Sequence, residues 1–208
     1  MTGSQLPDAP LLGQALPVEL MNTFWSDRHG VHDSLGSLGD AQRWITAVNP
    51  RLEAPVRANA QSLDEDGLTR LRDLRDAVRR IAAERTGDPR EQARSAMADL
   101  GTAVQTVNEG ARLAQIRPML ELTEGGGIVE RPETTGAPDA LLMSAIANEA
   151  IELFGPWDDL DLRACLAPGC VLYFIKDHPR REWCSNGCGN RARAARHYAR
   201  HGRADEVE

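Results

Sequence analysis

This chain of 208 residues has no cysteine outside one short stretch, only one lysine, few aromatics and no long apolar run. The longest uninterrupted apolar stretch, Val171–Ile175, is far too short to cross a bilayer, so a membrane partner is not expected. The opening residues Met1-Thr-Gly-Ser-Gln-Leu-Pro-Asp8 have neither a basic start nor an apolar core, so no secretory signal is read there. Four cysteines without an oxidising compartment argue against two disulfides, and a cytoplasmic thiol site is expected. Lysine occurs only as Lys176 against 23 arginines. That bias looks like a GC-rich coding sequence, so the choice of arginine over lysine carries no information about base readout. Aromatics make up 4% of the chain, which leaves Leu, Val, Ile and Ala to build the core.

What is present is concentrated near the C-terminal end. Cys165 and Cys170 form a C-x4-C pair, a 13-residue spacer follows, and Cys184 and Cys188 form C-x3-C. Two close pairs can deliver four thiolates to one tetrahedral ion, and zinc suits soft sulfur ligands in that geometry. An iron–sulfur cluster or redox thiols are the rival uses of such a set. Pro168-Gly169 supplies a tight turn inside the first pair. Val171–Ile175 reads as a strand, 176–179 as a turn, and 180–183 as a returning strand. Cys184 and Cys188, at i and i+4, suit the first turn of a helix, and the whole suggests a treble-clef-like finger. Four thiolates close the coordination shell and leave no position for an activated water, so one structural zinc is expected, not a catalytic one.

Beyond Cys188 the chain is rich in arginine and alanine. At 100° per residue, Arg193, Arg196, Arg200 and Arg203 cluster within about 80° on one helix face. Ala192, Ala195, Ala199 and Tyr198 fall opposite, placed to pack on the hairpin. Arg191 lies on that apolar side, in a structural position near the metal. With Asn190 it completes the candidate nucleic-acid-binding set. Residues 161–203 carry nine basic against three acidic side chains, while residues 1–160 carry 15 against 25. The net charge of −7 for the whole chain therefore conceals a basic module, the electrostatic footprint of phosphate-backbone binding. A solvated helix face is the alternative use of such a charge run.

The first 160 residues are long enough for one domain with its own core. Residues 1–15 read as a flexible tail, 16–157 as the N-terminal domain, 158–203 as the zinc finger and 204–208 as an acidic tail. A helix or short strand is expected over 17–24, a helix over 41–48, and another from Ser62-Leu-Asp-Glu65, which has capping-box spacing. Leu68, Leu71, Leu74 or Arg75, Val78 and Ile81 would form its apolar stripe. A further helix is expected over 90–108. A β-hairpin is expected across Thr123–Gly127, and a helix from Pro138 through Phe154. The polar cluster of Asp27, Arg28, His29, His32 and Asp33 reads as a surface loop, not an acid–base centre. Gly125–Gly127 lacks the Lys-Ser/Thr ending of a phosphate loop. The fold class is α+β: a mainly helical N-terminal domain with a β-hairpin or small sheet, then the finger.

The string Trp183-Cys-Ser-Asn-Gly-Cys-Gly-Asn-Arg191, preceded by the C-x4-C pair, resembles the CGNR zinc finger. Its four-letter signature stands here as Cys188-Gly189-Asn190-Arg191. Val18-Glu-Leu-Met-Asn-Thr23 resembles the opening motif of the ABATE domain that precedes this finger in bacterial proteins regarded as stress-induced transcription regulators. Many members carry one more residue inside the second cysteine pair. The resemblance implies a zinc-holding, DNA-binding C-terminus and an N-terminal domain that senses a small-molecule effector or mediates assembly, a homodimer among the possibilities. It also implies a ligand pocket lined by Glu19 and Asn22, although Asn22 could equally cap a turn or satisfy buried backbone. No assembled catalytic constellation accompanies these motifs, so an enzyme is not expected. The competing use of the finger is as a zinc-stabilised protein- or RNA-interaction module without sequence-specific DNA binding.

Overall fold

The structure, a computed structural model, describes residues 9–52, 55–57, 60–155 and 161–201. The residues 1–8, Arg203 and the acidic 204–208 of the expected tails and stripe lie outside these, as does the expected domain boundary at 157–158. None of the described helices is long and apolar enough to cross a membrane.

The first helix, α1 (Leu16–Met21), carries Pro17 in its first turn and is buried along its whole length. It leads into a short antiparallel hairpin, β1 (Phe24–Asp27) and β2 (Gly30–Asp33). The loop expected here is a hairpin, since four-residue strands carry too few alternations to register in the sequence. Helix α2 (Leu38–Val48) begins where the Ser37 side chain accepts from the Asp40 N–H and runs into a 3₁₀ turn at Asn49–Arg51.

The long helix α3 (Glu65–Thr86) starts later than the Ser62 capping box predicts. Ser62 ends a 3₁₀ turn of its own, and the Asp64 carboxylate accepts from Gly67 N–H at 2.7 Å instead. Of the predicted stripe, Leu68, Leu71, Leu74 and Val78 are buried and Ile81 is half-buried, with Arg75 and Arg79 buried beside it. The helix expected over 90–108 forms only from α4 (Leu100–Ala111), capped by Asp99. Tertiary hydrogen bonds claim the backbone before it: Ala93 O accepts from Arg79 and Ala98 O from Arg80. Helical spacing is present in the sequence there, but these carbonyls face partners across the fold.

The hairpin across Thr123–Gly127 forms as expected, with β3 (Gln115–Leu122) and β4 (Ile128–Thr135) paired over eight positions. Helix α5 (Pro138–Phe154) has the predicted limits. Helices α3, α4 and α5 pack on one another, and α4 approaches closely at Gly110, where a Cβ would stand 3.2 Å from that of Ala147. The last elements are β5 (Leu162–Ala164), β6 (Tyr173–Ile175) and helix α6 (Asn186–His201).

β6 does not pair with a strand at 180–183 as expected. Its antiparallel partner is β5, upstream of the first cysteine. The C-x4-C knuckle thus forms the tip of the β5–β6 hairpin. Residues 180–183 are held by side chains instead: Arg181 bonds Asp177 at 2.9 Å and lies 5.2 Å over the Phe174 ring. The fold class is the expected α+β, helical with small antiparallel sheets and a cysteine-built C-terminal finger.

Two apolar clusters make the core. The larger draws on α1 to α5 and includes Leu162 and Tyr173 from β5 and β6. The smaller gathers Trp25 from β1 around the four cysteines, Leu172 and Phe174.

Candidate metal centre and basic helix

The four cysteine side chains are buried, and their sulfurs all lie within 4.8 Å of one another. Cys170 Sγ is 3.8 Å from Cys184 Sγ, which is 3.4 Å from Cys188 Sγ. A regular tetrahedron with Zn–S bonds of about 2.3 Å has edges of about 3.8 Å, so the donor set fits that ion. Sharing hydrogen bonds this closely splits the thiols. Contact with Cys170 brings Cys165 down to about 7, contact with Cys165 holds Cys188 far below the ordinary range, and Cys184 is pushed far above it. A divalent cation relieves the conflict by taking all four as thiolates.

Each ligand is positioned by short-range chemistry. Within the knuckle, Cys170 N–H bonds Ala167 O at 2.9 Å and Cys165 N–H bonds Leu172 O at 3.0 Å. At the start of α6, Ser185 Oγ accepts from Cys188 N–H at 3.2 Å, an N-cap contact. The Cys188-Gly-Asn-Arg191 signature has a physical meaning residue by residue. A Cβ at Gly189 would stand 3.1 Å from Cδ1 of Trp183, so a larger residue there would push the indole back by a few tenths of an ångström. Asn190 accepts from the Arg193 guanidinium. Arg191 donates to Cys188 Sγ at 3.0 Å, where its charge offsets the thiolates. That is the structural position its helix register suggested.

The N-terminal residues reach into this centre, which sequence reading did not foresee. Arg90 donates through one nitrogen to Cys165 O, Cys170 O and Leu172 O at 3.0, 3.2 and 3.1 Å. Asp88 pairs with Arg90 at 2.6 Å and accepts from the Tyr173 hydroxyl at 2.6 Å, with both members of the pair buried. Burial alone would raise the Asp88 carboxyl, but the bonds from Arg90 and Tyr173 outweigh it and hold it below the usual range. Arg79, only 2% exposed, donates to Met21 O at 2.9 Å and Ala93 O at 2.8 Å, with its guanidinium over the Phe24 and Tyr173 rings. Burial brings it down to about 10, so it stays charged at neutral pH. Ser26 Oγ bonds Gly169 O, joining the β1–β2 hairpin to the knuckle. In that hairpin Asp27 pairs with His32 at 2.8 Å.

Glu19 and Asn22, read from the resemblance as pocket residues or backbone partners, are both wholly buried. Asn22 donates to Tyr173 O at 2.9 Å and accepts from Tyr173 N–H at 3.0 Å. Gln14 does the same to Ile175, at 2.9 Å in each direction. Two side-chain amides therefore stand in for a third strand on the open edge of β6. Glu19 accepts from Leu12 N–H, Gln14 N–H and Arg51, and so shapes the segment that presents Gln14. Asn22→Ala would strand both buried groups of Tyr173, a loss of about 2–3 kcal/mol. A melting temperature lower by about 5–10 °C is the expected result, measured by calorimetry. Asn22→Asp should be no milder, because its carboxylate faces Tyr173 O.

Helix α6 departs from expectation in one respect. Ala192 is buried, but Ala195, Ala199 and Tyr198 do not pack on the hairpin, and Tyr198 is 74% exposed. β5 and β6 have three residues each and span about 10 Å, whereas 16 helical residues run about 24 Å, so the hairpin supports only the first turns. Arg193, Arg196 and Arg200 are exposed, with no carboxylate pairing them among the described residues. Arg196 lies 5.7 Å over the Trp183 ring.

Comparison with known families agrees with this geometry. Residues 162–201 match the CGNR zinc finger, so the cysteine cluster holds one zinc ion. Residues 14–156 match the ABATE family, described as "putative stress-induced transcription regulator". No curated protein matches the chain. With most of its length covered, and its buried Asn22 and CGNR residues each explained by contacts, the chain belongs to the ABATE family and carries a CGNR zinc finger at its C-terminal end.

Proposed function

We propose that this protein is a non-enzymatic, DNA-binding transcription regulator that uses α6 as its contact element. The observation that carries the proposal is the exposure of α6 beyond Ala192. This arm presents Arg193, Arg196 and Arg200, contains no acidic residue, and is anchored at its start by the zinc cluster. A helix of about 10–12 Å diameter fits the major groove of B-DNA, about 12 Å wide. The zinc does no chemistry at the DNA. It holds the N-terminal turn of α6 so that the arginines leave the surface in one direction. Effector sensing or assembly by the N-terminal domain belongs to the same proposal, as the regulatory half that a stress-induced regulator would need.

Titrating the zinc-loaded protein onto labelled duplex DNA across salt concentrations tests it. Each neutralised phosphate contributes about 0.9 to the slope of log affinity against log salt. Replacing Arg193, Arg196 and Arg200 with alanine should flatten that slope by about 2–3 while leaving zinc content unchanged. Absence of duplex binding at low salt by zinc-loaded protein would refute the assignment.

A further inference from the structure

The β3–β4 ribbon is exposed at all 16 of its positions and makes its main contacts within itself. A lone two-stranded ribbon is marginally stable in water, so the two faces are informative. Residues directly opposite in the register share a face. One face carries Arg117 with Glu133 and Met119 with Arg131, and Glu121 bonds Arg131 at 2.8 Å. It is a salt-bridged, solvated surface. The other carries Ile116, Pro118, Leu120, Leu122, Ile128 and Pro132, with Glu130 as its single charge. On that face Leu120, Leu122 and Ile128 are 77, 71 and 70% exposed, and Ile116 45%.

Each edge of the ribbon is interrupted by a proline at its middle. Pro118 and Pro132 stand directly opposite each other. Counting back from the Thr123 N–H to Gly127 O bond, theirs is a pair whose backbone groups point outward. Each proline removes one donor from the outer edge of its strand, a device that disfavours edge-to-edge pairing. What is left for a partner is the apolar face. Its four large side chains expose an area on the order of 500 Å² per chain, the size of a functional patch.

We propose that this face docks against the same face of a second copy of the chain, forming a two-fold dimer through paired ribbons. An isologous contact matches a patch with itself, and here an apolar face needs an apolar counterpart of equal length and width. Doubled across the two-fold, the patch removes about 1,000 Å² from water, the lower bound for a specific interface. The proline-interrupted edges favour a face-to-face contact over extension of the sheet. Glu130, the one charge on the face, weakens the contact.

Sedimentation of the full-length, zinc-loaded chain without DNA tests this independently of the DNA-binding proposal. The wild type should sediment as a dimer at micromolar concentration. Leu120→Glu and Ile128→Glu should each raise the dissociation constant on the order of 100-fold, because a substitution enters a two-fold interface twice. Their zinc content and helical circular dichroism should match the wild type, since both side chains lie outside the core clusters. Glu130→Gln should shift the equilibrium toward dimer. A wild type that remains monomeric up to about 100 μM would overturn the proposal and leave the face to a different protein. A dimer indifferent to Leu120→Glu and Ile128→Glu would overturn it equally, placing the interface elsewhere.

Discussion

Removing the zinc, by chelation or by Cys184→Ser, is expected to destabilise the whole chain and not only its last 40 residues. Metal binding to such four-ligand sites contributes on the order of 10 kcal/mol, comparable with the entire stability of a typical domain. Reading along the chain suggests that the N-terminal fold should survive metal loss. The contacts predict otherwise. Leu162 and Tyr173 belong to the same apolar cluster as α1, α3 and α5, and the Asn22 and Gln14 amides are satisfied only by the β6 edge. Without zinc, the three-residue strands lose the knuckle that closes them, and the N-terminal part is left with Arg79 and two amides without their β6-side partners. Thermal unfolding followed at 222 nm, with zinc release recorded by a colorimetric chelator, should show the main transition falling by 10 °C or more in step with metal loss, roughly the effect of 3 kcal/mol on a chain this size. A helical transition that stays put after complete zinc removal would contradict the shared core.

Arg90→Ala is expected to be the most damaging single change outside the cysteines. It removes the donor to three carbonyls of the knuckle and leaves Asp88 as an unpaired buried carboxylate. Breaking a buried ion pair from one side costs about 3–5 kcal/mol. Two measurements separate its role from simple packing. The first is the rate of zinc loss to a competing chelator, which should rise because the loops carrying Cys165 and Cys170 lose their brace. Arg90→Lys, which keeps the charge but not the fork of donors, should recover only part of that rate. The second is pH dependence. Asp88 is held below its unfolded pKa of about 3.9, so its contribution is complete above that value and is lost as pH falls through the lower folded pKa. The stability gap between wild type and Asp88→Asn should therefore narrow as pH drops below about 4. Proton competition for the thiolates weakens zinc binding in both proteins and so cancels in the gap. A gap that widened in acid would reverse the assigned sign.

How much of this was legible along the chain differs by element for physical reasons. Helix α5 and the β3–β4 hairpin were readable to within a few residues, because Pro138 and the Gly125–Gly127 turn act locally. The segment before α4 does not continue as a helix because its carbonyls are claimed by Arg79 and Arg80, 14 and 18 positions upstream on α3. The partner of β6 was misassigned for a related reason. A run such as Val171–Ile175 declares that it is a strand, but not which edge it will use. The role of Arg90 left no signal at all, since an arginine after Asp88-Pro89 looks like any surface turn until the knuckle is folded against it.

The sequence by itself determined the metal centre. Ligand identity, number and spacing are local properties, and four thiolates within 24 residues admit few geometries. It also determined that positive charge would gather on the helix leaving that centre. Only the tertiary structure decided how the centre is held and what the helix presents. Asn22, Arg79 and Arg90 meet the knuckle and the strand that follows it across 75 to 151 positions of chain, where no periodicity reaches. The length of a three-residue hairpin, set against a helix of 16, then decided that the arginines stay exposed.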